Sequence, residues 1–392
     1  MRCAALCVLC LVCIYAAAKP ARAQEPNAPQ SVSPAQLKAA IDKLGDLDYA
    51  TRTNASRLVR RTATAQAVPV LLQAVAEHTD GYVRYRALVL LTGFNDPRAR
   101  DAMRESLTSP NDRLRTVAYS YFEHHPDKAM TATFVAALDK EQAEFVRPAL
   151  VRALAALGPQ PALVRDVSRG EDFFRSAVIE ALGDYKATYA YDAITAVART
   201  EGPLQDDAAL ALGKIGDKRA LETLSALQRS APKKTQPSIA AAICLLGVNC
   251  GSHQSYLIDT LKFADKNKSA GFQELLRAAA AGLGTLGIAG HEEPVTALLD
   301  VGIPVRDDST RAPVALALAT VALRNTALML PIIEKRTDRD QALALIAEGF
   351  DMLEEDLEKE RFFAFARRTY WDAPQDSPRR ALMQTIIGKL DF

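Results

Sequence analysis

The chain has 392 residues, 49% of them hydrophobic, and its 48 basic side chains almost balance its 47 acidic ones. This balance excludes the strong positive charge by which proteins bind nucleic acids or anionic membrane surfaces. We therefore expect no nucleic-acid partner.

The first 23 residues predict a cleaved signal peptide. Arg2 gives a short positive segment, 4–18 form an apolar run, and Ala21-Arg22-Ala23 has the small-x-small pattern that precedes a cleavage site. We expect cleavage before Gln24. A retained anchor helix is the alternative, but Lys19 interrupts the run before the about 20 apolar residues that span a bilayer. We expect a periplasmic or secreted protein with no membrane span in the mature chain.

Removal of this segment leaves 45 basic and 47 acidic side chains, a net charge of −2, and two of the six cysteines, Cys244 and Cys250. Two cysteines close in sequence in an exported protein favour a disulfide. Gly247 lies between them and predicts a turn that brings the two together. Two buried free thiols are the alternative.

Structure is predicted to begin after a polar linker at 24–33, which has almost nothing to bury. Ser33-Pro34 is typical of a helix start. Leu37, Ile41 and Leu44 then fall on one helical face, and Gly45 ends the helix.

The chain then repeats itself. In each repeat an acidic residue precedes an arginine by three or four positions, the arginine is predicted to open a helix, and successive arginines are 32, 31, 32 and 28 residues apart. The pairs are Asp48 with Arg52, Asp80 with Arg84, Asp112 with Arg115, Glu144 with Arg147, and Asp172 with Arg175. Two helices of about 11–12 residues and two turns need this length. We therefore predict helix pairs that stack on one another, with the five arginines as a structural ladder.

One segment carries a family resemblance. The segment from Asp206 to Leu221, DDAALALGKIGDKRAL, resembles the core of a HEAT-like repeat of the type named after phycobilisome lyases, and 174–184, FRSAVIEALGD, is similar to it. The resemblance implies a right-handed α-solenoid of stacked antiparallel helix pairs whose second helices line the concave face. The motif is a packing motif, so it implies no activity.

The pattern loosens after Asp217. We assign 34–340 to the HEAT-like solenoid and 341–392 to a C-terminal helical cap that closes its core. Within the cap, Gln341 to Arg368 predicts one long amphipathic helix, and Ser377-Pro378 starts the last helix.

The sequence contains only weak matches to catalytic, cofactor-binding or metal-binding motifs. Gly282, Gly284 and Gly287 match G-x-G-x-x-G, but a helix-forming run precedes them where dinucleotide binding needs a strand. His124 and His125 are adjacent, point apart on a helix, and favour a polar helix end over a metal site. Deoxyhypusine hydroxylase resembles this architecture and binds iron through several His-Glu pairs, whereas this chain has one, His291-Glu292. We expect no catalytic, cofactor or metal site.

The sequence therefore predicts a non-enzymatic scaffold of the cell envelope whose concave face binds a protein or peptide. The candidate contacts lie on second helices or adjoining turns and are Arg98, Arg104, Tyr185, Tyr189 and Arg219. Two alternatives stay open. One is a lyase-like enzyme or enzyme accessory subunit, and the other is a structural protein that self-associates end to end.

Overall fold

The computed structural model describes residues 31–267, 270–353 and 355–390. The predicted signal peptide at 1–23 and most of the predicted linker at 24–33 lie outside the described residues. The described residues are predominantly helical and contain no β-strand, which confirms the predicted all-α fold of stacked helix pairs.

The α-helices of these residues are numbered in chain order. They are α1 (Pro34–Asp42), α2 (Tyr49–Arg61), α3 (Thr64–Glu77), α4 (Gly81–Thr92), α5 (Ala99–Ser106), α6 (Asp112–His124), α7 (Thr131–Leu138), α8 (Val146–Ala156), α9 (Pro161–Asp166), α10 (Asp172–Asp184), α11 (Tyr191–Ala198), α12 (Gln205–Ile215), α13 (Ala220–Ser230), α14 (Gln236–Leu245), α15 (Cys250–Lys266), α16 (Ala270–Ile288), α17 (Glu292–Gly302), α18 (Asp308–Arg324), α19 (Thr326–Lys335), α20 (Arg339–Met352), α21 (Asp356–Asp372) and α22 (Pro378–Leu390). The even-numbered helices α2 to α20 are the first helices of the pairs, and the odd-numbered helices α3 to α19 are the second helices.

Helix starts follow the predicted signals. Ser33 caps α1 in a reciprocal capping box with Gln36, and Pro34 occupies the first turn. Asp48 and Asp80 cap α2 and α4 by accepting hydrogen bonds from backbone N–H groups. These acids therefore provide hydrogen-bond acceptors for backbone N–H groups at the helix starts, while the arginines that follow them have another role.

Four of the five ladder arginines tie their first helix to the chain that precedes it, whereas Arg147 pairs with Glu171 and lies over the ring of Phe174 in the next repeat. Arg52 Nη1 donates to the carbonyl of Asp46 at 2.7 Å, and Arg115 Nη1 donates to that of Ser109 at 2.8 Å. Arg84 Nε donates to the carbonyl of Val75 at 2.8 Å, near the end of the second helix before it. Arg175 Nε and Arg311 Nη1 bond the chain before α10 and α18 in the same way. Carbonyls near a helix end lack intrahelical partners, so each guanidinium stabilises a turn between repeats.

Small residues let neighbouring first helices pack very closely. A Cβ atom added to Gly183 in α10 would lie 2.8 Å from the Cα atom of Ala211 in α12. One added to Gly213 in α12 would lie 2.8 Å from the Cβ atom of Ala242 in α14. Gly284 of the G-x-G-x-x-G match lies inside α16 against α18, so this motif serves helix packing.

The close packing sets the direction of curvature. Successive first helices pack along the whole row, whereas successive second helices have few contacts with one another. The row bends so far that α21 contacts α4, α6 and α18 together. The first helices therefore lie on the inner side. The expectation that second helices line the concave face is wrong, because the glycine and alanine residues that shorten the inner side are on the first helices.

The C-terminal segment differs from the predicted long helix. Gln341 to Arg368 is divided between α20, which packs on α18 as the next first helix, and α21, which turns towards the N-terminal repeats. The start predicted at Ser377-Pro378 agrees with α22, which packs on α19, α20 and α21. The pattern of apolar residues within 341–368 gives no sign of this break. The break accompanies contacts of α21 with helices about 270 residues earlier in the chain.

Among the described helices, none is by itself long and apolar enough to cross a membrane. Helices α18 and α19 meet that criterion only when taken together, and the chain bends by 117° between them.

We predict that Gly213→Ala lowers the free energy of unfolding by about 1–3 kcal/mol, because the added methyl group forces α12 away from Ala242. Urea unfolding followed by circular dichroism measures the change. Gly251→Ala is the matched control, since a Cβ there meets open space. An equal loss in both variants would contradict the close-packing argument.

Candidate binding interface

The inner side of the row holds α21, which lies against first helices of both the N-terminal and the C-terminal repeats. We call the residues that contact it there the α21 seat: Arg60 in α2, Tyr85 and Arg86 in α4, His124 in α6, and Arg324 in α18. Three acids on α21, Asp356, Glu358 and Glu360, meet these side chains. Residues up to 300 positions apart in the sequence are thereby brought together.

Asp356, the first residue of α21, is bound from two sides. Its Oδ2 atom accepts a hydrogen bond from the hydroxyl of Tyr85 and another from Arg86 Nη1 at 2.8 Å. Lys359, one turn later, lies 3.4 Å from its other oxygen. Although burial alone would raise it, the charges of Arg86 and Lys359 hold the pKa of Asp356 below its ordinary value. The start of α21 is therefore fixed to α4 by an ionised carboxylate.

Glu360 is the most deeply buried of the three acids, with a side chain 1% exposed. Arg60 Nε donates to it at 2.8 Å and Arg367 Nη2 at 3.1 Å. Gly93, at the end of α4, leaves the space that its carboxylate occupies. Against the effect of burial, Arg60 and Arg367 lower the pKa of Glu360. Arg60 is itself only 5% exposed, so this ion pair is almost fully removed from water.

Glu358 joins three helices at one carboxylate. Its Oε1 atom lies against Nε2 of His124, and Arg361 donates to Oε2 at 2.9 Å. Arg324, at the C-terminal end of α18, lies 3.6 Å from Oε1. Although burial opposes ionisation, the hydrogen bond with His124 and the charge of Arg324 hold the pKa of Glu358 at about 2.

A second group of ion pairs adjoins the seat where the first helices end. Glu123 in α6 accepts from Arg152 Nε and from the hydroxyl of Tyr185, both at 2.9 Å. Arg152 also donates to Asp184 at 2.8 Å, and Lys214 donates to the other oxygen of Asp184 at 2.8 Å. The group links α6, α8, α10 and α12 in sequence. Arg324 lies 3.7 Å from Glu123 and connects this group to the seat.

Glu123, His124 and Glu358 present possible metal ligands within 4.8 Å of one another. Guanidinium groups of Arg152, Arg324 and Arg361 already contact these atoms. The cations compensate the carboxylates and oppose binding of another one, so we assign these residues to the seat. His125 turns away, stacks on Tyr121 and bonds its carbonyl, so the two adjacent histidines do not share a ligand.

Apolar contacts complete the binding of α21. Leu357 packs into the core of the N-terminal repeats, whereas Phe362 and Phe363 pack into the core of the C-terminal ones. The helix therefore joins both halves of the hydrophobic core. Between α21 and the first two repeats a cleft of about 180 Å³ remains, and its rim includes Tyr49 and Tyr82, which are 57% and 37% exposed.

Only one of the five predicted partner contacts lies in this inner network, and that is Tyr185. Tyr189 is partly buried, with its hydroxyl 3.4 Å from the carbonyl of Gly158. Arg98 and Arg219 immediately precede the second helices α5 and α13 and pair with Asp96 and Asp217 two residues earlier. Arg104, in α5, pairs with Asp101 and Asp127. These four residues lie on the second-helix side, away from α21.

The two cysteines lie at the turn between α14 and α15. Their sulfurs are at disulfide-bonding distance, as the sequence predicted, and their Cα atoms are 4.1 Å apart. Val248 N donates to the carbonyl of Ile243 and Gly247 N to that of Cys244, so the chain reverses direction tightly. Gly247 has a φ of +78°, a conformation that favours glycine. The turn ends beside His291, which immediately precedes α17.

Sequence reasoning missed the α21 seat. One signal was available: acids stand among the apolar residues of this segment, and Glu358 and Glu360 are buried together with Leu357, Phe362 and Phe363. Buried acids in a cap predict basic partners elsewhere in the fold. The partners themselves, Arg60, Arg86 and Arg324, have no mark that separates them from other arginines in the sequence.

Comparisons with known proteins agree with this architecture. Residues 37–123 match the family model of HEAT repeats, and residues 204–230 match the model of the PBS lyase HEAT-like repeat. These two segments of the chain are therefore similar to HEAT-type repeats. Among curated proteins, none matches it by sequence.

Several solved structures are similar in fold. A Kap95p chain in a structure with RanGDP is 14% identical, with a TM-score of 0.43, over 92% of this chain and 55% of that one. Importin beta is 14% identical, with a TM-score of 0.40, over 90% and 55%. The CpcE–CpcF complex of phycocyanin lyase from Nostoc sp. PCC7120 is 18% identical, with a TM-score of 0.26, over 83% and 97%. The chain thus spans about half the length of the first two.

We predict that Glu360→Gln lowers the free energy of unfolding by about 3 kcal/mol, because it removes the charge that compensates the nearly buried Arg60 and the partly buried Arg367. Amide hydrogen exchange should increase most in α21 and at the end of α4. Glu292→Gln is the matched control, since Glu292 and its partner Lys335 are 54% and 69% exposed. Equal exchange in α21 of the two variants would exclude the proposed anchoring role.

The low pKa of Glu358 predicts acid sensitivity of α21. Its folded pKa of about 2 lies below the ordinary 4.5, so its stabilising contribution is complete above about pH 4.5 and is lost as the pH falls towards 2. A shift of this size corresponds to roughly 3 kcal/mol. The only tryptophan, Trp371, is on α21 and reports its environment by fluorescence. In Glu358→Gln, the change in stability over this pH range should be smaller; an unchanged acid profile would contradict the assignment.

Proposed function

We propose that this protein is a non-enzymatic scaffold that binds an acidic helical segment of a partner protein on the α21 seat. The observation that carries the proposal is that the seat already holds a helix of this chain through three acids, Asp356, Glu358 and Glu360. In this view α21 is a built-in occupant, and the partner takes its place. The partner's helix carries carboxylates at the corresponding positions.

Charge complementarity supports this choice of partner. Arg60, Arg86 and Arg324 are directed at carboxylates, and each is mostly removed from water, with side chains 5%, 14% and 20% exposed. A helix without acids would deprive Arg60 and Arg86 of the carboxylates of α21, which costs several kcal/mol. The seat therefore selects acidic helices over neutral or basic ones.

The same electrostatics favour a scaffold over an enzyme. A general acid or base works best with a pKa near the operating pH. At the seat, basic neighbours lower the pKa values of Asp356, Glu358 and Glu360, so these carboxylates stay ionised and paired at neutral pH. Their arrangement suits recognition of charge and opposes proton transfer.

We place the protein in the periplasm or outside the cell. The predicted signal peptide at 1–23 supports this location, and so does the pair formed by Cys244 and Cys250, because disulfides persist in oxidising compartments. The function requires only that the partner be exported to the same compartment.

A peptide competition experiment tests the proposal. The probe is a fluorescent peptide with the sequence of 356–372, and the protein is the full chain carrying Asp356→Asn, Glu358→Gln and Glu360→Gln. Neutral α21 occupies its seat weakly, so the variant should bind the peptide at least about tenfold more tightly than the wild type, in which α21 competes at high effective concentration. Fluorescence anisotropy measures both affinities.

A control peptide carries the same three acids as Asn, Gln and Gln. It should bind the variant at least about tenfold more weakly than the acidic peptide, and the difference should decrease with salt. The single variant Asp356→Asn provides a milder loosening of α21, and circular dichroism confirms that both variants are folded. Equal binding of the two peptides, or none in either variant, would overturn the proposal.

A further inference from the structure

Three side chains with soft or borderline metal-binding atoms meet near the α14–α15 turn. Cys244 is the penultimate residue of α14, Cys250 is the first of α15, and His291 immediately precedes α17. The two sulfurs and one imidazole nitrogen all lie within 4.8 Å of one another. Three neighbouring helix ends therefore bring together a Cys₂His set, although the residues are far apart in the sequence.

A fourth side chain shows where a cation would lie. The amide group of Gln254, which is 8% exposed, points into the middle of the set. Its Nε2 atom is 2.8 Å from Nδ1 of His291, 3.3 Å from Cys250 Sγ and 3.9 Å from Cys244 Sγ. An amide NH₂ group only donates, so three lone-pair atoms converge on one electropositive group.

From this convergence we propose that, when Cys244 and Cys250 are reduced, they form with His291 a binding site for a thiophilic cation such as Zn²⁺. Two thiolates and one neutral imidazole are the donor set that such cations prefer. The amide of Gln254 turns over, so that Oε1 instead of Nε2 faces the metal and completes four-coordination. An amide is nearly symmetric in shape, so this change needs no backbone movement.

The oxidation state controls the site. In the disulfide the two sulfurs share a bond and cannot both act as thiolate ligands. An external dithiol supplies two electrons and two protons, which convert the disulfide to two thiols while the dithiol becomes a disulfide. Zn²⁺ then displaces the two thiol protons. The freed sulfurs can separate to the about 3.8 Å that tetrahedral zinc–thiolate bonds of about 2.3 Å require.

Access to the site is available from one side. His291 and Leu245 line a cavity of about 520 Å³ at the ends of α10, α12, α14 and α16. Cys250 is partly exposed, whereas Cys244 is 3% exposed. A reductant can therefore reach Cys250, and a cation can approach His291, without unfolding of the repeats. This site is separate from the α21 seat.

Metal titration of the full chain tests the proposal. The protein is reduced with a dithiol, desalted without oxygen, and titrated with Co²⁺ as the spectroscopic probe and Zn²⁺ against a chromophoric chelator. We expect one Co²⁺ per chain, with thiolate-to-cobalt charge-transfer absorption and the visible bands of tetrahedral cobalt. The oxidised chain should show neither absorption.

Variants assign the ligands. Cys250→Ser and His291→Ala should each weaken Zn²⁺ binding on the order of 100-fold or more, since even indirect partners of a metal site contribute 10–100-fold. His253→Ala is the matched control, because His253 precedes Gln254 on the same helix and is not one of the three ligands. Circular dichroism verifies the fold of each variant. A reduced wild type that binds Zn²⁺ no better than Cys250→Ser, or unchanged affinity in His291→Ala, would overturn the proposal.

Discussion

The close approach of the first helices is the constraint on which the rest of the structure depends. Gly183 against Ala211 and Gly213 against Ala242 bring successive inner helices almost into backbone contact. The second helices have few such contacts with one another, so the row is shorter on the inside than on the outside. The resulting bend brings α18 and α21 to α4 and α6. Without it, the acids of α21 would not meet their arginines.

Sequence reasoning succeeded where the determining forces are local. The start of α1 at Ser33-Pro34 and the turn at Gly247 each depend on side chains within a few residues. The all-α fold likewise follows from a repeated pattern that each helix pair satisfies with its neighbours. The break between α20 and α21 was not predicted, because it accompanies contacts distant in sequence, such as that of Asp356 with Arg86, 270 residues away.

The sequence contained a signal for which helices line the inner face, but the prediction assigned that face to the second helices. Small residues on the first helices indicate which side of the stack is compressed, and Gly183 and Gly213 were visible in the repeats. The acid–arginine pattern was also compatible with more than one structure. Asp80 and Arg84 have the spacing of an ion pair, yet Asp80 caps α4 and Arg84 bonds the carbonyl of Val75. The same sequence spacing is compatible with an ion pair between the two residues and with a capping acid beside an arginine that bonds a preceding carbonyl, since both arrangements place the side chains at the helix start.

The chemistry of the α21 seat gives the proposed exchange of its occupant a physical basis. Burying a charge pair costs desolvation of both partners, so the pair contributes little net free energy compared with an apolar contact of the same size. Removing one partner alone is costly, because Arg60 and Arg86 then stay buried without a carboxylate. An acidic helix that replaces α21 restores those charges, while α21 regains solvation in water. In the proposed mechanism, exchange between two acidic helices therefore costs less free energy than simple release of α21, and helices that lack the acids bind more weakly.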